Sequence, residues 1–364
     1  MKSMAMTRCS AQQLILSNYI KYNQLTPICS TVFGSVNPDE LKSINIYIDL
    51  YSVLYSLYTG SYEPALDDGE WDIAAGIINM ISHYRNFFRG YNIETKFYFV
   101  YSNNYSVDKT KLVPEYNSDM QYKMNYSCSA IHNSVLQNIQ LVDQIAKYVH
   151  DVAFISSNNF DTSVLMYYAY SLDQNNQYNI IITKDLVVNQ LLAMMPRTIV
   201  FRPRKYRGQD TSYFISSVGS GLIDNFIDKS GCKTEYSGNI NIGLYSFILA
   251  ATKVPQRGLP SLVAVSSLIK ELDKLITLPD FLNGYHQNPQ EICERLPSKM
   301  CIKLQHGNFI GRFKTIDARQ GYYEYMASPE RLMYKGIQNL YDPNGLHEID
   351  TKYFPNWHLN LENM

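Results

Sequence analysis

Five short apolar runs, each followed by a segment of helical period, constrain this chain more than any other feature. Residues 44–49 read Ile-Asn-Ile-Tyr-Ile-Asp, and 96–101 read Lys-Phe-Tyr-Phe-Val-Tyr. Further runs occupy 152–156, 179–183 and 198–202. Between them, 71–89 place Ile73, Ile77, Ile81, Tyr84 and Phe88 on one helical face, and 134–150 do the same with Leu136, Ile139, Val142, Ile145 and Val149. Helices are also predicted over 161–172 and from about Asp185 through Leu192. Short apolar strands alternating with helices give a parallel sheet covered on both faces. Ligands of such sheets gather at the carboxyl ends of the strands, where Asp49, Tyr101, Ser156 and Asp185 fall.

The polar stretch 102–129 reads as a mobile loop. From Asp210 the pattern turns helical, with candidates at 213–227, 242–252, 261–276 and 289–303. Residues 307–326, aromatic and punctuated by glycine, suggest a hairpin. Ser328-Pro329-Glu330 opens a last helix with a favoured cap and proline at its first position. The expected division is an N-terminal extension over 1–40, a sheet domain over 41–209, a helical region over 210–288 and a C-terminal extension over 289–364.

Composition narrows the class. Of 364 residues, 46% are hydrophobic and 18% charged, which suits a folded globular chain. The formal net charge of -1 argues against a protein that grips duplex DNA mainly by neutralising phosphates. The six cysteines form no C-x-x-C pair and no zinc spacing, so reduced, mostly buried thiols are expected. The start lacks the apolar core of a signal peptide, and 240–254 are too short and interrupted to span a bilayer. The 31 tyrosines, with many Asn and Ile, fit an AT-rich genome such as those of many viruses and phages. The expected setting is the cytoplasm or nucleus of an infected cell, or a virion, without secretion.

Four segments, three of them bearing an acid, and a turn follow one another in a telling order. They are Ile48-Asp49-Leu50-Tyr51-Ser52-Val53-Leu54, Phe99-Val100-Tyr101-Ser102, Asn159-Phe160-Asp161-Thr162, Thr183-Lys184-Asp185-Leu186-Val187 and the turn Arg257-Gly258-Leu259-Pro260-Ser261-Leu262-Val263. Over roughly 40–280 this order resembles the flap endonuclease and 5′ exonuclease superfamily of PIN-like nucleases. The resemblance implies an α/β fold: a PIN-like parallel sheet with helices on both faces, then a helical region with a degenerate helix–turn–helix. It also implies a magnesium site built from acids. Asp49, Asp161 and Asp185 are kept as candidate metal ligands, while Tyr101, Asn159, Val187 and Ala251 stand where the family has acids.

Two-metal phosphodiester hydrolysis needs several converging carboxylates, and losing them weakens magnesium binding. Each remaining Asp also reads as an ordinary helix cap. In the turn, the family offers backbone N–H groups of a Gly-x-Gly to a phosphate, with a basic residue soon after. Pro260 replaces the second glycine and has no N–H, and Leu262 with Val263 replace the basic pair. The turn is therefore expected to pack on protein, either its own core or a partner.

One dense basic cluster remains, Arg197, Arg202, Arg204, Lys205 and Arg207, with Tyr206 inside it. Arg202, Arg204, Lys205 and Arg207 are candidate contacts for nucleic acid or an acidic partner, or else a solvated loop. No P-loop, G-x-G-x-x-G or nucleophile elbow is present, and no histidine suggests a catalytic role. The resulting expectation is a catalytically degenerate nuclease-fold protein, acting as a structural or binding subunit of a viral or phage assembly or nucleic-acid machine. It would have protein partners, need no cofactor and have no membrane association. The alternative is a magnesium-dependent 5′ nuclease led by Asp49, Asp161 and Asp185. Fold alone does not choose between them.

Overall fold

The computed structural model describes residues 42–51, 81–116, 139–202, 242–276 and 288–328, with short interruptions, and three strands between 202 and 242; over 201–244 only backbone structure is described. The strands are β1 (Ser43–Asp49), β2 (Glu94–Ser102), β3 (Val152–Ser157), β4 (Tyr178–Ile182), β5 (Thr198–Arg202), β6 (Ser212–Ile215), β7 (Asn225–Ile227) and β8 (Lys233–Glu235). Among the described residues they form a six-stranded sheet of order β3-β2-β1-β4-β5-β6 and a separate β7-β8 pair. The pairings from β3 through β5 are parallel, and β6 closes the edge antiparallel to β5.

The central strand β1 is buried along nearly its whole length, as a strand covered on both faces must be. Alternation assigns its neighbours to two layers. On one face the helix ending at Arg89 meets the sheet, with Tyr84 tilted over Phe97 at 6.4 Å between ring centroids. On the other, Tyr47 stacks on its register partner Tyr98 at 5.0 Å, and α2 (Thr162–Leu172) covers β2 and β3. A short helix, α1 (Val107–Leu112), follows β2. After β4 the chain enters a 3₁₀ turn, Leu186–Gln190, and a single helical turn, α3 (Leu191–Met194).

The remaining helices are α4 (Ile242–Ala251), α5 (Val265–Ile276), α6 (Pro289–Arg295), α7 (Ser298–His306), α8 (Phe309–Ile316) and α9 (Ala318–Ala327). α4 packs on α8 and α9 packs on α2, so this region shares the core of the sheet's second face. Buried Gln190 ties the two together. Its carbonyl accepts from Ser246 Oγ (2.7 Å) and the Ala318 N–H (3.0 Å), and its amide donates to the Ile316 carbonyl (2.9 Å). Every polar atom of that amide is thus bonded, as burial requires.

All five expected strands form, as do the helices over 161–172, 242–252 and 261–276 within a few residues. Helices 71–89 and 134–150 are seen at the described positions, 81–89 and 139–146. Four expectations need correction. Residues 213–227 are not a helix but give β6 and β7; Tyr213-Phe214-Ile215 favours an extended edge, and Gly219-Ser220-Gly221 weakens a helix. The helix over 289–303 breaks at Leu296-Pro297, because proline brings no N–H to continue it. Residues 307–326 form α8 and α9 instead of a hairpin. Its glycine at 321 serves close packing: a Cβ there would lie 2.7 Å from Val164 Cγ2. The loop over 102–129 contains α1 and buried Val113 and Tyr116. The helix expected after Ser328 lies outside the described residues.

Candidate functional site

The strand order reverses between β1 and β4, which is where an open α/β sheet leaves a crevice at its carboxyl edge. Register decides what lines it. Ile48 pairs with Ile182, so the next residues, Asp49 and Thr183, emerge side by side. Alternation turns both toward the α2 face. Thr183 Oγ1 donates to Asp49 Oδ2 at 2.8 Å and accepts the Asp185 backbone N–H at 3.0 Å. Asp185 caps the 3₁₀ turn, its Oδ1 accepting the Val187 N–H at 2.9 Å. Its other oxygen accepts from the Arg257 guanidinium.

Asp161 enters the same crevice from the start of α2. Its main-chain carbonyl accepts the N–H groups of Val164 and Leu165. Its carboxylate accepts from the Lys109 ammonium of α1 and from the Tyr116 hydroxyl, 2.8 Å from Oδ1 and 2.9 Å from Oδ2. Arg257 Nη2 is 4.0 Å from Asp161 Oδ1, so one guanidinium spans two of the acids. Lys109 and Arg257 also lie over the Tyr116 ring, at 5.6 and 5.9 Å from its centroid. Asp49, Asp161, Asp185 and Arg257 are each at most 4% exposed.

The electrostatics follow from burial and pairing. Burial pushes the Asp161 carboxyl up, but Lys109 and Arg257, with the hydrogen bonds from Lys109 and Tyr116, outweigh it and hold it below its ordinary value. Burial opposes the charge on Arg257, yet Asp185, Tyr116, Asp161 and Asp49 together hold the guanidinium protonated more firmly than usual. Tyr116 is driven well above its ordinary value, first by burial and then by the neighbouring carboxylates, against the pull of Arg257. The described cluster thus sets three carboxylates against two fixed cations.

A magnesium pair does not fit this arrangement. The ions would need carboxylate oxygens that Lys109, Tyr116, Arg257, Thr183 and the Val187 N–H already engage. Among the described residues no group of three His, Cys, Asp or Glu is placed to hold a metal ion. At the other positions where the resemblance places acids, Val187 and Ala251 are fully buried apolar side chains, and Tyr101 is the buried next-to-last residue of β2. Asn159 lies in the bend before α2, where its N–H donates to Ser157 Oγ at 3.1 Å.

The turn after α4 faces inward. Val254 and Leu259 form an isolated antiparallel bridge, and the N–H of Arg257 also reaches the Val254 carbonyl. The N–H groups of Leu262 and Val263 both donate to the Ala251 carbonyl, at 3.1 and 3.2 Å. Gly258, next to Arg257, sits at φ 67°, a conformation that favours glycine. Arg312 of α8 fastens the turn from behind, donating to the carbonyls of Thr252 (3.0 Å) and Pro260 (2.7 Å). Of the two packing modes expected for this turn, the described contacts are with the protein's own core.

The three aspartates named from sequence are therefore brought together. Lys109 and Tyr116 were missed, and the only signal for them was the apolar Leu112-Val113-Pro114 and Tyr116 within a polar stretch. Arg257 belonged to the quoted turn, but its partner, 72 positions upstream, leaves no mark in sequence spacing. Of the basic cluster, Arg202 closes β5, while Arg197, Arg204, Lys205 and Arg207 lie outside the described residues.

Known structures share this architecture. The bacteriophage T5 flap endonuclease, in a pseudo-enzyme–product complex with DNA and metal ions, superposes with a TM-score of 0.54 at 10% identity, covering 82% of this chain and 99% of that one. The same phage's protein co-crystallised with metal ions gives 0.53 at 9% identity, covering 82% and 98%. Its 5′-exonuclease with bound zinc gives 0.54 at 9%, again over 82% and 98%. The fold is the PIN-like 5′ nuclease fold. No family model and no curated protein sequence matches the chain. Among the described residues, no helix is long and apolar enough to cross a membrane.

Proposed function

We propose that this chain is a catalytically degenerate 5′ nuclease-like protein that acts as a structural or binding subunit of a viral or phage assembly or nucleic-acid machine. The observation that carries the reading is the pairing of Asp161 with Lys109 and of Asp185 with Arg257, inside the crevice where the fold would gather metal ligands. Lys109 and Arg257 occupy oxygens of Asp161 and Asp185 that metal ions would need, so no metal-activated water is generated there. With the amides of Arg257, Leu259, Leu262 and Val263 bonded internally, a partner would be held elsewhere. The basic residues Arg202, Arg204, Lys205 and Arg207 are the proposed contact, with nucleic acid or an acidic protein surface as partner.

One observation favours the alternative of a magnesium-dependent nuclease: Asp49, Asp161 and Asp185 do converge, and all three act electrostatically on one group, Arg257. An assay separates the readings. Purified protein is incubated with flap, nicked and single-stranded DNA in magnesium or manganese, beside the triple variant Asp49→Ala, Asp161→Ala, Asp185→Ala. No metal-dependent cleavage by either is expected. Cleavage by the natural chain that vanishes in the triple variant would falsify the degenerate reading.

A further inference from the structure

The helices α6 and α7 meet across the break at Leu296-Pro297, and that corner brings two thiols together. Cys293 Sγ and Cys301 Sγ are 3.4 Å apart, near sulfur–sulfur van der Waals contact. Cys293 is buried, whereas Cys301 is partly exposed. A disulfide needs its sulfurs about 2.0 Å apart, so this contact already brings the pair most of the way to bonding distance.

We propose that Cys293 and Cys301 form a reversible modification site, a disulfide made by exchange with a low-molecular-weight disulfide such as oxidised glutathione. Cys301, the thiol that reaches solvent, loses its proton to water and attacks one sulfur of the oxidant. The oxidant's S–S bond breaks, one thiolate leaves and is protonated, and Cys301 carries a mixed disulfide. Cys293 then gives its proton to solvent and attacks the Cys301 sulfur. A second thiolate leaves and is protonated. Two protein thiols are oxidised by two electrons, and the oxidant is reduced to two thiols. Burial pushes the Cys293 thiol up to about 12, so this second step is the slower one and waits on local opening of the corner.

The placement gives the cross-link a consequence. Gly307 caps α7, and a Cβ added there would fall 2.3 Å from Leu262 Cδ2, so the end of this helix lies directly on the turn that carries Arg257. A disulfide fixing α6 to α7 stiffens the support of that turn. The site uses none of the acid cluster and is independent of whether the chain cleaves DNA.

The test uses the full chain, incubated in glutathione buffers of rising oxidised fraction, alkylated, and digested with trypsin. Trypsin cuts after Arg295 and Lys299, so a cross-link joins two separate peptides that mass spectrometry identifies. The expected result is a dominant Cys293–Cys301 cross-link, lost on adding dithiothreitol and absent in Cys301→Ser. Oxidation should also raise the melting temperature of the natural chain, and not that of Cys301→Ser. A stable glutathione adduct on Cys301 without cross-linking would overturn the proposal. So would cross-links spread evenly among the six cysteines. Cys293→Ala is a second variant: it should stop at the Cys301 adduct, and an unchanged product pattern would also contradict the site.

Discussion

Arg257 and Asp185 form a buried ion pair across the crevice, and the same guanidinium nitrogen stands 4.0 Å from Asp161. Removing one partner of such a pair strands the other charge in the interior. Arg257→Met is expected to destabilise the chain by about 3–5 kcal/mol, the range for breaking a buried pair from one side. Adding Asp185→Asn should recover part of the loss, since the stranded charge goes with it. Urea unfolding of the two single variants and the double variant measures the coupling. Additive losses would mean the pair is not energetically coupled.

Asp161 supplies a pH dependence of known sign. Its folded value lies below the ordinary 3.8, so the unfolded chain takes up a proton first as pH falls. The stabilisation is complete above the ordinary value and is lost as pH falls through the depressed folded value. Unfolding free energies measured from neutral pH into that acid window should decline more steeply for the natural chain than for Asp161→Asn. Parallel curves would remove Lys109 and Arg257 as the cause.

Arg312 holds the carbonyls of Thr252 and Pro260 from inside the fold. Arg312→Met should leave both acceptors without this donor and cost about 1–3 kcal/mol. Amide hydrogen exchange at Leu259, Leu262 and Val263 should rise well above that of β1. Exchange rising equally everywhere would indicate global destabilisation instead of a loosened turn.

Gly321 is where α9 closes on α2. Gly321→Ala would put a methyl 2.7 Å from Val164 Cγ2 and should cost about 1–3 kcal/mol through overpacking. Val164→Ala in the same chain should restore part of the loss, read as a melting-temperature shift. A Gly321→Ala chain as stable as the natural one would show that the helices separate freely.

The sheet was legible because β1 and β4 are buried on both faces and write themselves as short apolar runs, each interrupted by a single buried Asn, Asn45 and Asn179. The order of the acids was legible for the same reason, since each follows a strand or opens a helix. Local pattern failed where packing decides. Gly311 and Gly321 look like turn punctuation, yet they lie inside α8 and α9 at close contacts with side chains. Lys109 sits in a polar stretch whose meaning comes only from Asp161, 52 residues away. The fate of the acids therefore could not be read from the acids themselves. It depends on which cations the fold delivers to them.

Divalent-ion binding tests that point most directly. Manganese can be titrated into the full chain and followed by electron paramagnetic resonance, beside the triple variant Asp49→Ala, Asp161→Ala, Asp185→Ala. With Lys109 and Arg257 seated on the carboxylates, the natural chain is expected to bind no more manganese than the triple variant. A stoichiometric ion present in the natural chain and lost in the variant would contradict the account, because it requires those side-chain cations to yield their places to metal.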